Sequence, residues 1–353
     1  MTHDYWLVRS NSKLQPTPDS HEDRMRIGIV TPAPPRSQHG NRATAVRWRT
    51  ILRQLGHRVT ICQDYAGENF DLLVALHARK SAAAVARFHQ HHADRPLLVA
   101  LTGTDLYIDV PRGNKLALRS LDQATRLIAL QPLAAEALPK NHRDKMRVIY
   151  QSVPSPAPLK NTKSATRSHA PATFDIFVVG HLRSVKDPFR AAMAVRNLPE
   201  SSQAIVHHYG LALTDSIRRR AEQESQRNDR YRWCGEISHA KLMQTINKAG
   251  RDGRAVLVHS SKVEGGPHAI SEAVVAGLPV LATDIAGSTG LLGVDYPGLF
   301  PVGDTRALRD LIVRAETDGP FYKKLHVRCQ KAAKLFEPAR EVKAWRSLLR
   351  ELA

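Results

Sequence analysis

The stretch Ala255–Thr283, AVLVHSSKVEGGPHAISEAVVAGLPVLAT, decides how this chain reads. It opens on a short apolar run, Ala255 to Val258, and closes on another, Pro279 to Ala282. Both have the length and composition of buried strands. Between them, Ile270–Ala276 is apolar at 270, 273, 274 and 276, the spacing of one helical face. Gly277 stands where such a helix stops, and Pro279 follows. The unit predicted is strand, loop, helix, strand, the building block of a parallel sheet.

The loop carries the chemistry. Glu264-Gly265-Gly266-Pro267 precedes the helix. The glycines allow close approach of a ligand to the backbone, and Pro267 suits a first helical position. The backbone N–H groups of Gly265, Gly266 and His268, with the positive end of the helix, then suit a phosphate. Glu264 remains in the loop, and Glu272 falls in the second helical turn. Two carboxylates repel a bare phosphate but accept hydrogen bonds from sugar hydroxyls. A sugar nucleotide offers both groups.

The spacing E-x7-E followed by A-x-x-A-G-x-P-V resembles the donor-site signature of two-domain GT-B glycosyltransferases of the family 4-like group. The fold this implies is α/β, with two Rossmann-like domains facing across a cleft and a last helix crossing back to the first domain. The expected layout has a polar extension over 1–24 and an acceptor-side domain over 25–153. A linker over 154–173 follows, then a nucleotide-sugar domain over 174–335 and a returning helix over 336–353. The linker reading rests on PSPAPLKNTKSATRSHAPAT, rich in Pro, Ser, Thr and Lys without apolar periodicity.

Length and composition fit two domains of ordinary size. The chain has 353 residues and is 42% hydrophobic, enough for substantial cores. No apolar run reaches the length of a membrane span, and the start lacks a signal-peptide core. The expectation is a cytoplasmic protein. Cys62, Cys234 and Cys329 are too few and too scattered for a disulfide framework or a zinc site. The balance of 52 basic against 33 acidic residues gives +19. The cations are dispersed and aromatics make up 6%, so no base-stacking stripe is present and nucleic acid is not expected as a partner.

Further apolar runs, each ending in a polar or glycine-bearing loop, extend the pattern to both halves. Met25–Thr31, His57–Cys62, Asp71–Leu76, Leu97–Leu101, Arg126–Leu130 and Met146–Tyr150 read as strands of the first half. Phe174–Gly180, Ala204–Tyr209, Tyr231–Cys234 and Leu299–Val302 read as strands of the second. Ala43–Leu55 reads as a helix after a loop over Pro32–Arg42, so Gly40, Asn41 and Arg42 sit at a second helix start. Thr102-Gly103-Thr104-Asp105 lies at a strand's carboxyl end, where open α/β sheets bind ligands. The glycine-rich segment Ile285–Gly290 is read as a loop with Ser288 and Thr289 able to reach a ligand.

The resemblance assigns roles to these positions. HLRSVKDP, His181–Pro188, is similar to the stretch in which a basic pair grips the donor diphosphate. Lys186 falls on the family's lysine, and Arg183 is read as substitute for an arginine replaced by His181. Gly235 opens the loop that holds the nucleotide base in relatives. Thr102 stands where a histidine is often found, and it joins Asp105, Gly40, Asn41 and Arg42 on the acceptor side. With LTGTDLY and VVGHLRSVKDPFR, the chain is similar to one branch in particular, the selenosugar synthases of selenoneine biosynthesis. That branch implies a UDP-sugar donor (UDP-N-acetylglucosamine or UDP-glucose) and selenophosphate as acceptor, with UDP and phosphate released and no metal or cofactor required. The alternatives are a family 4-like O-glycosyltransferase with a hydroxylated small-molecule or lipid acceptor, and a non-catalytic nucleotide or nucleic-acid binder.

Overall fold

The computed structural model describes residues 24–35, 37, 40–154 and 173–352. The extension read over 1–24 and the linker over 154–173 lie almost wholly outside them. The chain divides into two compact units, with boundaries after Pro154 and after Glu337.

The first unit holds a parallel sheet of β1 (Arg26–Val30), β2 (Arg58–Cys62), β3 (Leu72–Leu76), β4 (Leu97–Leu101), β5 (Arg126–Ala129) and β6 (Met146–Val148). Their order is β2-β1-β3-β4-β5-β6. The helices between them are α1 (Gly40–Gln54), α2 (Ala82–His91), α3 (Lys115–Gln123) and the short α4 (Ala134–Ala137). β3 and β4 both read LLVAL and are buried throughout. Successive side chains point to opposite faces, so each strand feeds two cores. Leu73, Ala75, Leu97 and Val99 pack with Val85, Phe88 and Leu121. Leu72, Val74, Leu98 and Ala100 pack with Trp48, Leu52 and Trp345. A sheet covered on both faces is the usual state of parallel strands.

The second unit repeats the plan with β7 (Phe174–Val179), β8 (Ala204–Tyr209), β9 (Tyr231–Gly235), β10 (Ala255–His259), β11 (Val280–Thr283) and β12 (Leu299–Phe300), in the order β12-β11-β10-β7-β8-β9. Its helices are α5 (Arg190–Val195), α6 (Asp215–Arg227), α7 (His239–Asp252), α8 (His268–Val275), α9 (Ala286–Leu292), α10 (Thr305–Thr317) and α11 (Gly319–Ala333). Strand order reverses at β7, between β8 on one side and β10 on the other. That switch point is where open α/β sheets leave a crevice at their carboxyl ends. Gly210, at the end of β8, is required by sterics: a β-carbon there would stand 2.0 Å from the Gly180 carbonyl oxygen.

The last helix, α12 (Pro338–Leu352), belongs to the first unit. Trp345 is fully buried and meets Trp48 edge-on, ring centroids 5.0 Å apart at 75°. Beside them Glu341, 2% exposed, accepts hydrogen bonds from Trp48 Nε1 (3.0 Å), Ser152 N (2.7 Å) and Ser152 Oγ (2.6 Å). Arg47 lies 4.0 Å away. Burial raises the Glu341 carboxyl above its usual range, and Arg47, Ser152 and Trp48 only partly offset it.

Local boundaries differ from the sequence reading in three places. α1 begins at Gly40, so Gly40, Asn41 and Arg42 form its first turn rather than the end of a loop. Pro267 stands outside α8 with an extended ψ of 114°, and His268 is the first helical residue. Ile285–Gly290 is not a loop: Ala286–Leu292 is helical. Three small residues and two hydroxyls made this segment look like a turn, yet packing of Leu291 and Leu292 draws it into a helix. Sequence periodicity also left α3, α5, α7, α10 and α11 unread. Four of them begin at a side-chain cap, Asn114 for α3, Ser238 for α7, Asp304 for α10 and Asp318 for α11, the type of residue that marks a helix start.

Two stability predictions follow from buried charge. Glu341→Ala removes one acceptor from three donors and should destabilise the first unit by about 3–5 kcal/mol; Glu341→Gln should cost less, about 1–3 kcal/mol. Urea titration of both variants checks this. In the second unit, His207 Nε2 lies 3.0 Å from Asp175 Oδ1. Hydrogen bonds with Asp175 and then Cys234 raise the imidazole to about 9 against the opposing effect of burial. A raised base stabilises the fold fully below its unfolded value near 6.5 and loses that contribution as pH climbs through 9. The urea midpoint of the native chain should therefore fall between pH 6.5 and 9 more steeply than that of Asp175→Asn.

Candidate active site

The loops after β7 and β10 meet at the switch point of the second sheet. Ser260 Oγ donates to the carbonyls of Lys186 (3.1 Å) and Asp187 (3.0 Å), and Lys262 N donates to Val185 O at 2.8 Å. Asp187 takes a left-handed φ of 44° to close the turn. These bonds bring Lys186 Nζ onto Glu264 Oε1 in a hydrogen-bonded ion pair. The Glu264 side chain is only 15% exposed. Burial pushes its carboxyl up, but the Lys186 charge and the His259 and Lys186 hydrogen bonds outweigh burial and hold it far below the usual range.

Behind Glu264 runs a chain of hydrogen bonds whose direction the chemistry fixes. Ser261 Oγ donates to Glu264 Oε1 at 3.0 Å, because an ionised carboxylate can only accept. His259 Nε2, 3.1 Å from the same hydroxyl, must then be the protonated ring nitrogen. His259 Nδ1 is left to accept from Ser288 Oγ at 3.4 Å. His259 is 5% exposed, and burial lowers its pKa, so the ring is neutral. Thr283 Oγ1 fixes the start of the loop by donating to Ser261 O at 2.6 Å. The whole array converges on one oxygen of Glu264. Its other oxygen has no protein donor among the described residues and is available to a ligand.

The helix start beside this pair is open. Pro267 supplies no side-chain cap to α8, and the first amides of a helix have no intrahelical partner. Gly265 and Gly266 lie in the loop between Glu264 and Pro267. On the other side α9 presses against Glu264. A β-carbon at Gly287 would stand 2.3 Å from the Glu264 carbonyl oxygen, so only glycine permits this approach.

Glu272, 8% exposed, lies in the second turn of α8 and accepts from His239 Nε2 at 2.8 Å. His239 opens α7, which follows the β9 loop begun at Gly235. Gly235 takes a φ of 67°, and its carbonyl receives Gly210 N at 2.8 Å. Thr289 is turned inward, its hydroxyl donating to Asp284 Oδ1 at 2.8 Å, and Ser288 is fully buried in the His259 chain. Neither hydroxyl is presented to a ligand, contrary to the loop reading. Arg183 is exposed and makes no ion pair among the described residues. His181, at the position of the family's arginine, receives Leu211 N on its Nδ1 at 3.2 Å.

In the first unit Asp105 is completely buried and accepts three backbone amides, from Thr102 (3.0 Å), Gly103 (2.8 Å) and Ala78 (2.9 Å). It organises the loop instead of facing a substrate hydroxyl. Arg42 lies in the first turn of α1, where burial and then the charge of Arg49 lower its pKa. Among the described residues no three His, Cys, Asp or Glu side chains are placed to hold a metal ion, and no helix is long and apolar enough to cross a membrane.

His259, Ser261 and His239 were not picked out from sequence. The signal for the first two was present: His-Ser-Ser follows an apolar run directly, so polar side chains fall at the carboxyl end of a strand. His239 offered none, because its partner Glu272 is 33 residues away.

Comparison with known proteins agrees with this geometry. Residues 161–336 match the family model described as glycosyl transferases group 1. No curated protein matches the chain by sequence. Among solved structures, Anabaena HepE in complex with UDP is 16% identical, covering 93% of this chain and 100% of that one, with a TM-score of 0.69. HepE with UDP-glucose aligns at a TM-score of 0.64. Sucrose-phosphate synthase from Thermosynechococcus elongatus is 17% identical over 93% of this chain and 99% of that one, TM-score 0.74. Residues 161–336 therefore form a group 1 glycosyltransferase domain, and the two parallel six-stranded sheets give the chain the GT-B fold.

Proposed function

We propose that the protein transfers a sugar from a UDP-sugar, UDP-N-acetylglucosamine or UDP-glucose, to selenophosphate. Selenium attacks the anomeric carbon as the bond to the UDP oxygen breaks. Water then cleaves the selenium–phosphorus bond, releasing phosphate and leaving a 1-selenosugar. The donor half of this reading is supported chiefly by the Lys186–Glu264 pair at the sheet's switch point. Solved structures of similar fold contain UDP or UDP-glucose. The acceptor half is supported by the sequence similarity in LTGTDLY and VVGHLRSVKDPFR.

The chemistry sets the roles. Negative charge grows on the departing diphosphate, and preorganised donors lower the barrier most where that charge develops. Lys186, the backbone N–H groups of Gly265, Gly266 and His268 and the exposed Arg183 supply it. Glu264 presents its uncommitted oxygen to a hydroxyl of the donor sugar, and Glu272, held by His239, faces the ribose. Gly235 bounds the base. Selenophosphate is an anionic nucleophile at neutral pH, so the acceptor needs little help from a general base. That requirement agrees with threonine at position 102. Because cationic groups of the chain stabilise the leaving group, no metal or organic cofactor is assigned.

Measuring UDP release with selenophosphate against simple alcohols tests the acceptor, and the selenosugar mass identifies the product. Activity with alcohols alone would refute the selenium assignment. Lys186→Ala should lower kcat by roughly 10²–10³-fold while the second unit stays folded, and Lys186→Arg should recover part of the loss. Turnover should persist in excess chelator.

A further inference from the structure

Two uncommon backbone features coincide in the first unit, after neighbouring strands. His77, directly after β3, holds φ at 76°, a left-handed conformation costing a non-glycine residue about 1–2 kcal/mol. After β4, Asp105–Asp109 form a π-helical turn. Such strain and such turns concentrate at functional sites. Here both are enforced by buried bonds. Asp105 clamps amides of the two loops, from Ala78 after β3 and from Thr102 and Gly103 after β4. Arg79 Nε donates to Asp109 Oδ2 at 2.8 Å as a second staple.

What these clamps position is an imidazole and a hydroxyl. Lys80 N donates to His77 Nδ1 at 3.3 Å, so the neutral ring carries its proton on Nε2. Burial lowers the His77 pKa and keeps it in that form. Nε2 lies 3.0 Å from Thr104 Oγ1 and donates to it. The proton of Thr104 must therefore point to a different acceptor. It does not cap the π-helical turn, and Thr104 is only half-buried. Lys80 is exposed and forms no ion pair among the described residues, so a cation stands close by in the chain.

We propose that the Thr104 hydroxyl, oriented by His77, donates a hydrogen bond to an oxyanion of the acceptor substrate, with Lys80 as counter-charge. This rests on the acceptor being an anion, as assigned above. His77 is a positioning residue, Thr104 the contacting one, and Asp105 the scaffold of both.

The test titrates inorganic thiophosphate, and separately UDP, into the native protein and into Thr104→Val, Thr104→Ser and His77→Asn. Asparagine tolerates the left-handed backbone, and thermal unfolding of each variant controls for folding. Thr104→Val should weaken thiophosphate binding by about 10-fold or more, the loss of one hydrogen bond to a charged group. Thr104→Ser should restore it, and UDP affinity should not move. His77→Asn should weaken thiophosphate similarly, and the double variant should be no worse than Thr104→Val alone, since both act through one hydroxyl. In turnover, KM for the acceptor should rise while KM for the donor holds. Equal thiophosphate binding by Thr104→Val and the native protein would overturn the proposal. So would a native protein that binds UDP but no thiophosphate, a result leaving the donor reading intact. Failure to bind UDP would strike the donor reading instead.

Discussion

An ion pair withdrawn from water governs the second unit. Glu264 and Lys186 come from the loops after β10 and β7. A carboxylate so little exposed stays charged only if it is paired and hydrogen-bonded, because desolvation otherwise favours its neutral form. The pair thus requires both loops to hold their shape. The Ser260 and Lys262 bonds across them, the left-handed turn at Asp187 and the glycine contact at residue 287 all serve that requirement. Every donor to Glu264 among the described residues meets the same oxygen, so charge is satisfied internally while half the carboxylate stays available.

The two units treat their buried acids differently. Glu264 is held by a cation and a directional chain of side chains, an arrangement that leaves room for a ligand. Asp105 is saturated by backbone amides and has none to spare. Its position at a strand's carboxyl end is the same. The distinction between a site residue and a scaffold therefore lies in what the carboxylate accepts, which no sequence position discloses.

The strands were legible because parallel sheets write themselves as apolar runs, as LLVAL does twice in the first unit. The unit from Ala255 to Thr283 was equally plain, its helix stop at Gly277 taking the φ of 74° that favours glycine. Charged amphipathic helices such as α10 and α11 escaped because their apolar stripes are diluted by arginine and lysine. Lys186 and Glu264, 78 residues apart, are in contact in the structure. The supports of Glu264 were harder to see. His259 looks like the end of a hydrophobic strand, and Ser288 looks like a loop hydroxyl until α9 turns it inward. Side-chain direction, which decides such roles, depends on packing between segments far apart in the chain.

α12 closes a core whose other members lie within the first 150 residues: Trp345, Leu348 and Leu349 complete the layer begun by Ile27 and Trp48. During synthesis Ile149, the last early member of that layer, leaves the ribosome almost 200 residues before Trp345, and Trp48 precedes its partner Glu341 by 293 positions. The earlier half must wait, with one side of its sheet unsealed, while the entire later half is made. The unit translated second is thus the first that can be finished, and the order of maturation runs against the order of translation.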